Sequence, residues 1–161
     1  MMRVEYLKIR ESMKMAPAKP FTVRLVDWGR MHEALAEIRL QVFVEEQNVP
    51  AEIVMDGLDA DGVHAAARDA DGNVIGSARL IMNQAPPRIG LMAVLKKWRS
   101  AGAGGEMLEQ LCGAAKLRGF NEVMVHSQTH ASPFYFRHGF LSYGSEFFEA
   151  GIPHQEMRKR I

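Results

Sequence analysis

Three glycines within four residues, Gly102, Gly104 and Gly105, stand immediately before the helically spaced Met107, Leu108, Leu111, Cys112 and Ala115. A helix start leaves backbone N–H groups unpaired and carries the positive end of the helix dipole, so this loop suits a phosphate or pyrophosphate. Glycines let such a ligand approach the backbone closely. A P-loop would continue with Lys and then Ser or Thr, whereas this chain has Glu106 and Met107. A dinucleotide fingerprint would need a third spaced glycine, which is missing. The other groups with chemistry to offer are the histidines His126, His130 and His154, the phenol of Tyr135, the carboxylates Glu46 and Glu52, and the single thiol of Cys112. The histidines titrate near neutrality and fall at predicted strand ends, but show no recognised metal-ligand spacing. Cys112 falls on the apolar face of the helix, where a small buried side chain is wanted, so it is not expected to carry an acyl group.

The elements that must position these groups follow from periodicity. With 161 residues, 47% of them hydrophobic and 24% charged, and a formal charge of +1, the chain reads as one domain with a real core and no bias toward nucleic acid. A lone cysteine excludes an internal disulfide, and cytoplasmic location is the simplest inference. Residues 1–20 are expected to be an appendage: basic, with a short amphipathic helix through Val4, Leu7 and Ile9 closed off by Pro17 and Pro20. The domain spans 21–161. Phe21, Val23 and Leu25 alternate as in a strand; Asp27 caps a helix whose face is Met31, Leu35, Ile38 and Val42, lasting to about Glu45. The acidic loop from Ala51 to Asp61 is expected to be solvated on the substrate side. Val63–Arg68 and Val74–Met82 form a hairpin about Asp71-Gly72, and a third strand from Arg88 to Leu95 completes a meander. After the glycines the helix runs to about Leu117 and ends at Arg118-Gly119. Val123–Val125 is a buried strand, Ser132–His138 a short helix, and Phe140–Tyr143 and Ile152–Met157 the last two strands.

Arg99-x-x-Gly102-x-Gly104, directly after the strand end Ala93-Val94-Leu95, resembles the acyl-CoA pyrophosphate loop of the GCN5-related N-acetyltransferase (GNAT) superfamily. Phe134, Tyr135, Gly139 and Phe140 match the second signature of that superfamily, in the right order and separated by a helix and a strand. Arg39-x-x-Val42-Phe43-Val44-x-Glu46-Gln47-x-Val49-Pro50, with Asp56, Asp59 and His64, and later Phe148 to His154, looks like the bacterial subgroup typified by ElaA and YjcF. Leu91, where the subgroup often has Arg, and Ser100, where the loop usually has Gly, are departures. The resemblance implies an α+β fold in α/β/α layers, with a mixed central sheet of about seven strands flanked by helices. It implies acetyl-CoA as co-substrate, held by Met92, Ala93, Val94, Arg99, Ser100, Ala101, Gly102, Ala103, Gly104 and Gly105. Phe43 and His154 are placed on the acceptor side, and no metal is expected.

Acyl transfer from a thioester to an amine needs a neutral amine, stabilisation of the carbonyl oxygen, and a proton for the leaving thiolate. In the resemblance, a splayed strand offers backbone N–H groups near Met92 and Val94 to the carbonyl, and Tyr135 protonates the thiolate. The competing reading of Tyr135 is a core aromatic with a satisfied hydroxyl. For the base, Glu46 and Glu52 fall where the subgroup is acidic; His126, His130 and His154 are alternatives, as is direct attack by an amine that is already neutral. The expected partner is a small-molecule or peptide amine, with no nucleic acid or membrane and with homodimerisation left open. Two other functions compete: a non-catalytic acyl-CoA sensor, and an acyl-homoserine-lactone synthase, against which the Phe134-Tyr135 to Gly139-Phe140 motif counts.

Overall fold

The computed structural model describes residues 19–161; the expected helix through Val4, Leu7 and Ile9 lies outside them. Strand β1 (Phe21–Val26) pairs antiparallel with β2 (Val63–Asp69), which forms a hairpin with β3 (Val74–Ile81), and β4 (Arg88–Val94) follows antiparallel. The sheet then turns parallel between β4 and β5 (Glu122–Gln128), and β5 pairs antiparallel with β8 (Ile152–Arg160). Short strands β6 (Leu141–Ser142) and β7 (Phe147–Glu149) both pair with β8. The mixed sheet flanked by helices is as expected, with eight strands in place of about seven. The added one is β7, three residues facing β8 across the turn at Ala150-Gly151, too short for its alternation to be read in sequence.

Helix α1 (Trp28–Arg39) starts at Asp27, whose side chain accepts from the Arg30 N–H as expected of a cap. It does not run on as α-helix to Glu45. Leu40–Glu46 is π-helical, and the wider turn carries Val42 and Phe43. Helix α2 (Ala51–Val54) is a single turn; α4 (Ser132–Arg137) matches the expected helix to within a residue, and α3 (Ala103–Leu117) ends where expected but begins earlier, taking Gly104 and Gly105 into its first turn. Alternation along the strands separates two faces. Ala65 and Ala67 of β2 join Met107, Leu108 and Leu111 of α3 in the main core. On the opposite face Ile38 and Val42 of the α1 arm pack on Ala93.

The acidic loop departs from expectation. Asp59 is buried and accepts from Arg39 Nη1 at 2.8 Å and from Arg79 Nη1 at 2.9 Å, while Asp56 receives both terminal nitrogens of Arg79. His64 donates from Nε2 to the Asp59 carbonyl at 2.8 Å and stacks on Trp28. Asp59 is not solvated because Arg39 and Arg79, carried inward on α1 and β3, need a counter-charge where water is excluded, whereas Glu52, Asp56 and Asp61 remain exposed as expected.

Candidate active site

The site begins with a break in hydrogen bonding. Between Arg79↔Gly90 and Ser77↔Ala93, β3 advances two residues while β4 advances three, so β4 bulges at Leu91 and Met92. Leu91 takes φ 47°, the left-handed conformation of a bulge position usually given to glycine. On its other edge β4 pairs with β5 only through Arg88↔Met124 and Ile89↔Val125. Beyond Ile89 the two parallel strands part, and two clefts open on either side of Met92 and Val94.

The first cleft, about 640 Å³, is lined by Met92, Val94, Arg99, Ser100, Gly102 to Glu106, Phe134, Tyr135 and His138, among others. Gly102, with φ 98°, turns the chain into α3, and no side chain caps the helix start. The first-turn N–H groups thus remain for a ligand. A Cβ on Gly104 would lie 3.5 Å from Phe134 Cζ and 3.8 Å from Met92 Sδ, and one on Gly105 would lie 2.6 Å from the His138 ring. The glycine loop, the β4 bulge and α4 therefore meet at one point, and the glycines fit an acyl-CoA pyrophosphate. Ser100 adopts φ 64°, which explains why glycine is the easier residue at that position.

The second cleft, about 520 Å³, is walled by Val42, Phe43, Val49, Ile53, Val54, Leu91 and Ile152, with Gln47, Gln128, His126, His130, His154 and Glu149 as its polar groups. Gln128 Nε2 donates to Gln47 Oε1 at 2.8 Å, joining β5 to the π-helical arm. Met92, Val94, Arg99, Ala131 and Tyr135 border both clefts.

Tyr135 is 9% exposed, and burial alone pushes its phenol up to about 12. Its ring packs edge-on to Phe134 and Phe140, at 5.0 and 5.7 Å between centroids. Tyr135 stands where the two clefts meet. Arg99 and Glu46 are brought together: Arg99 donates to both Glu46 oxygens at 2.8 and 3.0 Å and from Nε to the Val94 carbonyl at 2.9 Å. Glu52 is exposed on α2 and does not line either cleft. Phe43 and His154 line the second cleft, and Met92, Val94, Arg99, Ser100 and Gly102 to Gly105 the first, while Ala93 is buried beneath and Ala101 is exposed. Cys112 is buried, and burial raises its thiol further from ionisation.

Sequence reasoning passed over Gln47, Gln128, His138 and Glu149 as site residues. Glu149 could have been found: Ala150-Gly151 between short apolar segments is a hairpin signal, and the hairpin places Glu149 beside His154. The neighbouring His126 holds the Glu149 carboxyl below the usual range, so it is ionised near neutrality.

Residues 32–161 match the family model described as acetyltransferase (GNAT) domain. The chain is 39% identical over 123 residues to an uncharacterised N-acetyltransferase of Bacillus subtilis, YjcF, covering 76% of this chain and 87% of that one. Among solved structures, an acyl-CoA N-acyltransferase from Pseudomonas aeruginosa superposes with a TM-score of 0.73 at 28% identity, covering 86% of this chain and 97% of that one. Escherichia coli ElaA superposes with a TM-score of 0.76 at 24% identity, over 86% and 99% of the two chains.

Proposed function

Because the chain belongs to the GNAT acetyltransferase family, in its ElaA/YjcF-like subgroup, and is an acetyl-CoA-dependent N-acetyltransferase, we propose how its two clefts divide that reaction. The glycine cleft takes the acetyl donor and the Phe43 cleft takes a primary amine, so that donor and acceptor meet where β4 and β5 part. The single observation that carries this reading is that Met92, Val94 and Tyr135 border both clefts. Acetyl-CoA supplies an activated acyl group; what the chain does is align, desolvate and move protons.

The α3 start receives the pyrophosphate through N–H groups that no side chain satisfies, and Gly104 and Gly105 keep its approach open. Arg99 does not act as a free cation in this scheme. Its guanidinium ties Glu46 to the end of β4, which sets the width of the passage between the clefts. The edge of β4 released from β5 offers backbone N–H groups at Met92 and Val94 to the carbonyl oxygen as its charge grows.

The amine nitrogen attacks the acetyl carbon, the C–S bond breaks, and the sulfur leaves with the electron pair. Tyr135 donates its hydroxyl proton to that sulfur. A phenol raised to about 12 is fully protonated at neutral pH, as an acid must be before the reaction. The proton lost by the amine leaves through the acceptor cleft, where His126 and His130 are the available acceptors. Glu46 and Glu52 are weaker candidates for this step, the first because Arg99 occupies both its oxygens and the second because it faces solvent.

The test is a panel of primary amines incubated with acetyl-CoA, following thiol release, alongside the melting temperature with acetyl-CoA, NAD and ATP. Turnover with at least one amine and a shift with acetyl-CoA alone is expected. A shift without turnover on any amine would favour the sensor reading.

A further inference from the structure

An imidazole nitrogen and a carboxylate oxygen face each other in the wall of the acceptor cleft. His154 Nδ1 lies 2.7 Å from the Ile152 carbonyl oxygen, which can only accept, so that nitrogen carries the proton. In the neutral ring Nε2 is then a lone pair, and it points at Glu149 Oε2 from 3.5 Å. The His154 side chain is 8% exposed, so little water reaches it, whereas Glu149 is 45% exposed toward the cleft. The other Glu149 oxygen lies 3.7 Å from His126 Nδ1, near enough for attraction but beyond hydrogen-bond distance, and that nitrogen accepts from Arg88 Nη1 at 3.2 Å. Glu156, the other nearby carboxylate, is held by Arg158 Nε at 2.9 Å. No hydrogen bond joins the two side chains, and both atoms face the cleft within reach of one donor that carries more than one hydrogen.

Along the cleft lining, Glu149 is the only carboxylate among the described residues, and Arg99, the only permanent cation there, is neutralised by Glu46. No group of three His, Cys, Asp or Glu among the described residues is arranged to hold a metal ion. The fitting donor is therefore an ammonium group. It is not the reacting nitrogen. Strand order puts β5 between β4 and β8, so the bulge and His154 are separated by two strand spacings, roughly 10 Å; β5 brings His126 and Gln128 to the cleft between them, while Phe43, Val49 and Ile152 supply apolar wall.

We propose that the acceptor is an alkyl diamine or a longer amine with a second cationic centre, whose distal ammonium docks on Glu149 Oε2 and His154 Nε2 while the proximal amine reaches the β4 bulge. The proposal rests on the assignment of the Phe43 cleft to the acceptor. The apolar wall from Phe43 to Ile152 covers the intervening methylenes, and the carboxylate selects against amines that carry an anionic far end.

The experiment measures binding separately from chemistry. With CoA bound, which prevents turnover, calorimetry compares α,ω-diamines from diaminopropane to diaminodecane with the matching n-alkylamines, on the native chain and on Glu149→Gln. The expected result is a diamine of intermediate length binding more tightly than its monoamine by on the order of tenfold, with the preference lost in Glu149→Gln and the CoA affinity unchanged. Equal affinity for diamine and monoamine in the native chain, or a preference that survives in Glu149→Gln, overturns the proposal. A preference that behaves as expected, with no acetylated product when acetyl-CoA replaces CoA, keeps the ammonium site and removes the transferase reading of the cleft.

Discussion

At the level of single residues, Tyr135 and Cys112 separate two kinds of burial. Tyr135 is packed edge-on to Phe134 and Phe140 yet borders both clefts at their junction. Tyr135→Phe preserves the ring packing and removes only the proton donor. On an accepted amine kcat should fall by on the order of 10²-fold, with acetyl-CoA affinity within a few-fold by calorimetry. Full kcat in this variant, with chemistry rate-limiting, would mean another group protonates the thiolate. Cys112 lies in the main core with Leu108 and Leu111, and desolvation disfavours its thiolate. Cys112→Ala should therefore retain near-native kcat, and initial-rate lines for the two substrates should intersect. Trapping an acyl-cysteine by mass spectrometry would contradict direct transfer.

The elements that matter most are the α3 start and the β4 bulge, because each leaves backbone groups free for a ligand. Gly104 is in ordinary contact with Phe134 and Met92, so a larger side chain there occupies the donor cleft more than it disturbs the core. Gly104→Val should abolish the acetyl-CoA-induced rise in melting temperature while leaving the ligand-free melting temperature within a few degrees; a normal shift would remove the loop from the donor site. At the bulge Leu91 holds φ 47°, a conformation that costs a residue with a Cβ roughly 1–2 kcal/mol relative to the right-handed region. Leu91→Gly relieves that strain but removes a wall of the acceptor cleft, so its effect should appear in the amine KM and not in acetyl-CoA binding.

Across the whole molecule, Arg39, Asp59, Arg79, Asp56 and His64 tie α1, the sheet and the 51–61 loop into one unit. That loop carries Ile53 and Val54 into the acceptor cleft, so the buried charges hold a wall of the site. Asp59→Asn leaves Arg39 buried with its chief counter-charge gone, and unfolding in urea should show a loss of about 3–5 kcal/mol. The same network sets acid sensitivity. Burial depresses the His64 pKa, so its stabilising contribution is present above the ordinary histidine value and is lost as pH falls below about 6.5. Asp56, depressed mainly by its hydrogen bonds from Arg79, adds a second loss below the ordinary carboxylate range. Urea midpoints followed from neutral pH downward should decline in these two stages, with the first weakened in His64→Gln; a flat profile to pH 5 would rule out His64 as its source.

Most of the elements were legible because their signals are local. The alternation in β1, the hairpin about Asp71-Gly72, the Asp27 cap and the glycines at the start of α3 each depend on residues within a few positions of one another. So are the two motifs that carry the family resemblance, and with them the acetyl-CoA chemistry. What only tertiary structure decided is which distant groups meet. The approach of Arg39 and Arg79 turned Asp59, expected in solvent, into a buried counter-charge; Arg99 closed on Glu46, 53 residues away in sequence. The hairpin at Ala150-Gly151 set Glu149 against His154, and the parting of β4 from β5 made one passage of two clefts. Periodicity reports which face of its own element a residue occupies, but ion pairs and lone-pair conflicts depend on registers and crossings set by the packing of the entire sheet.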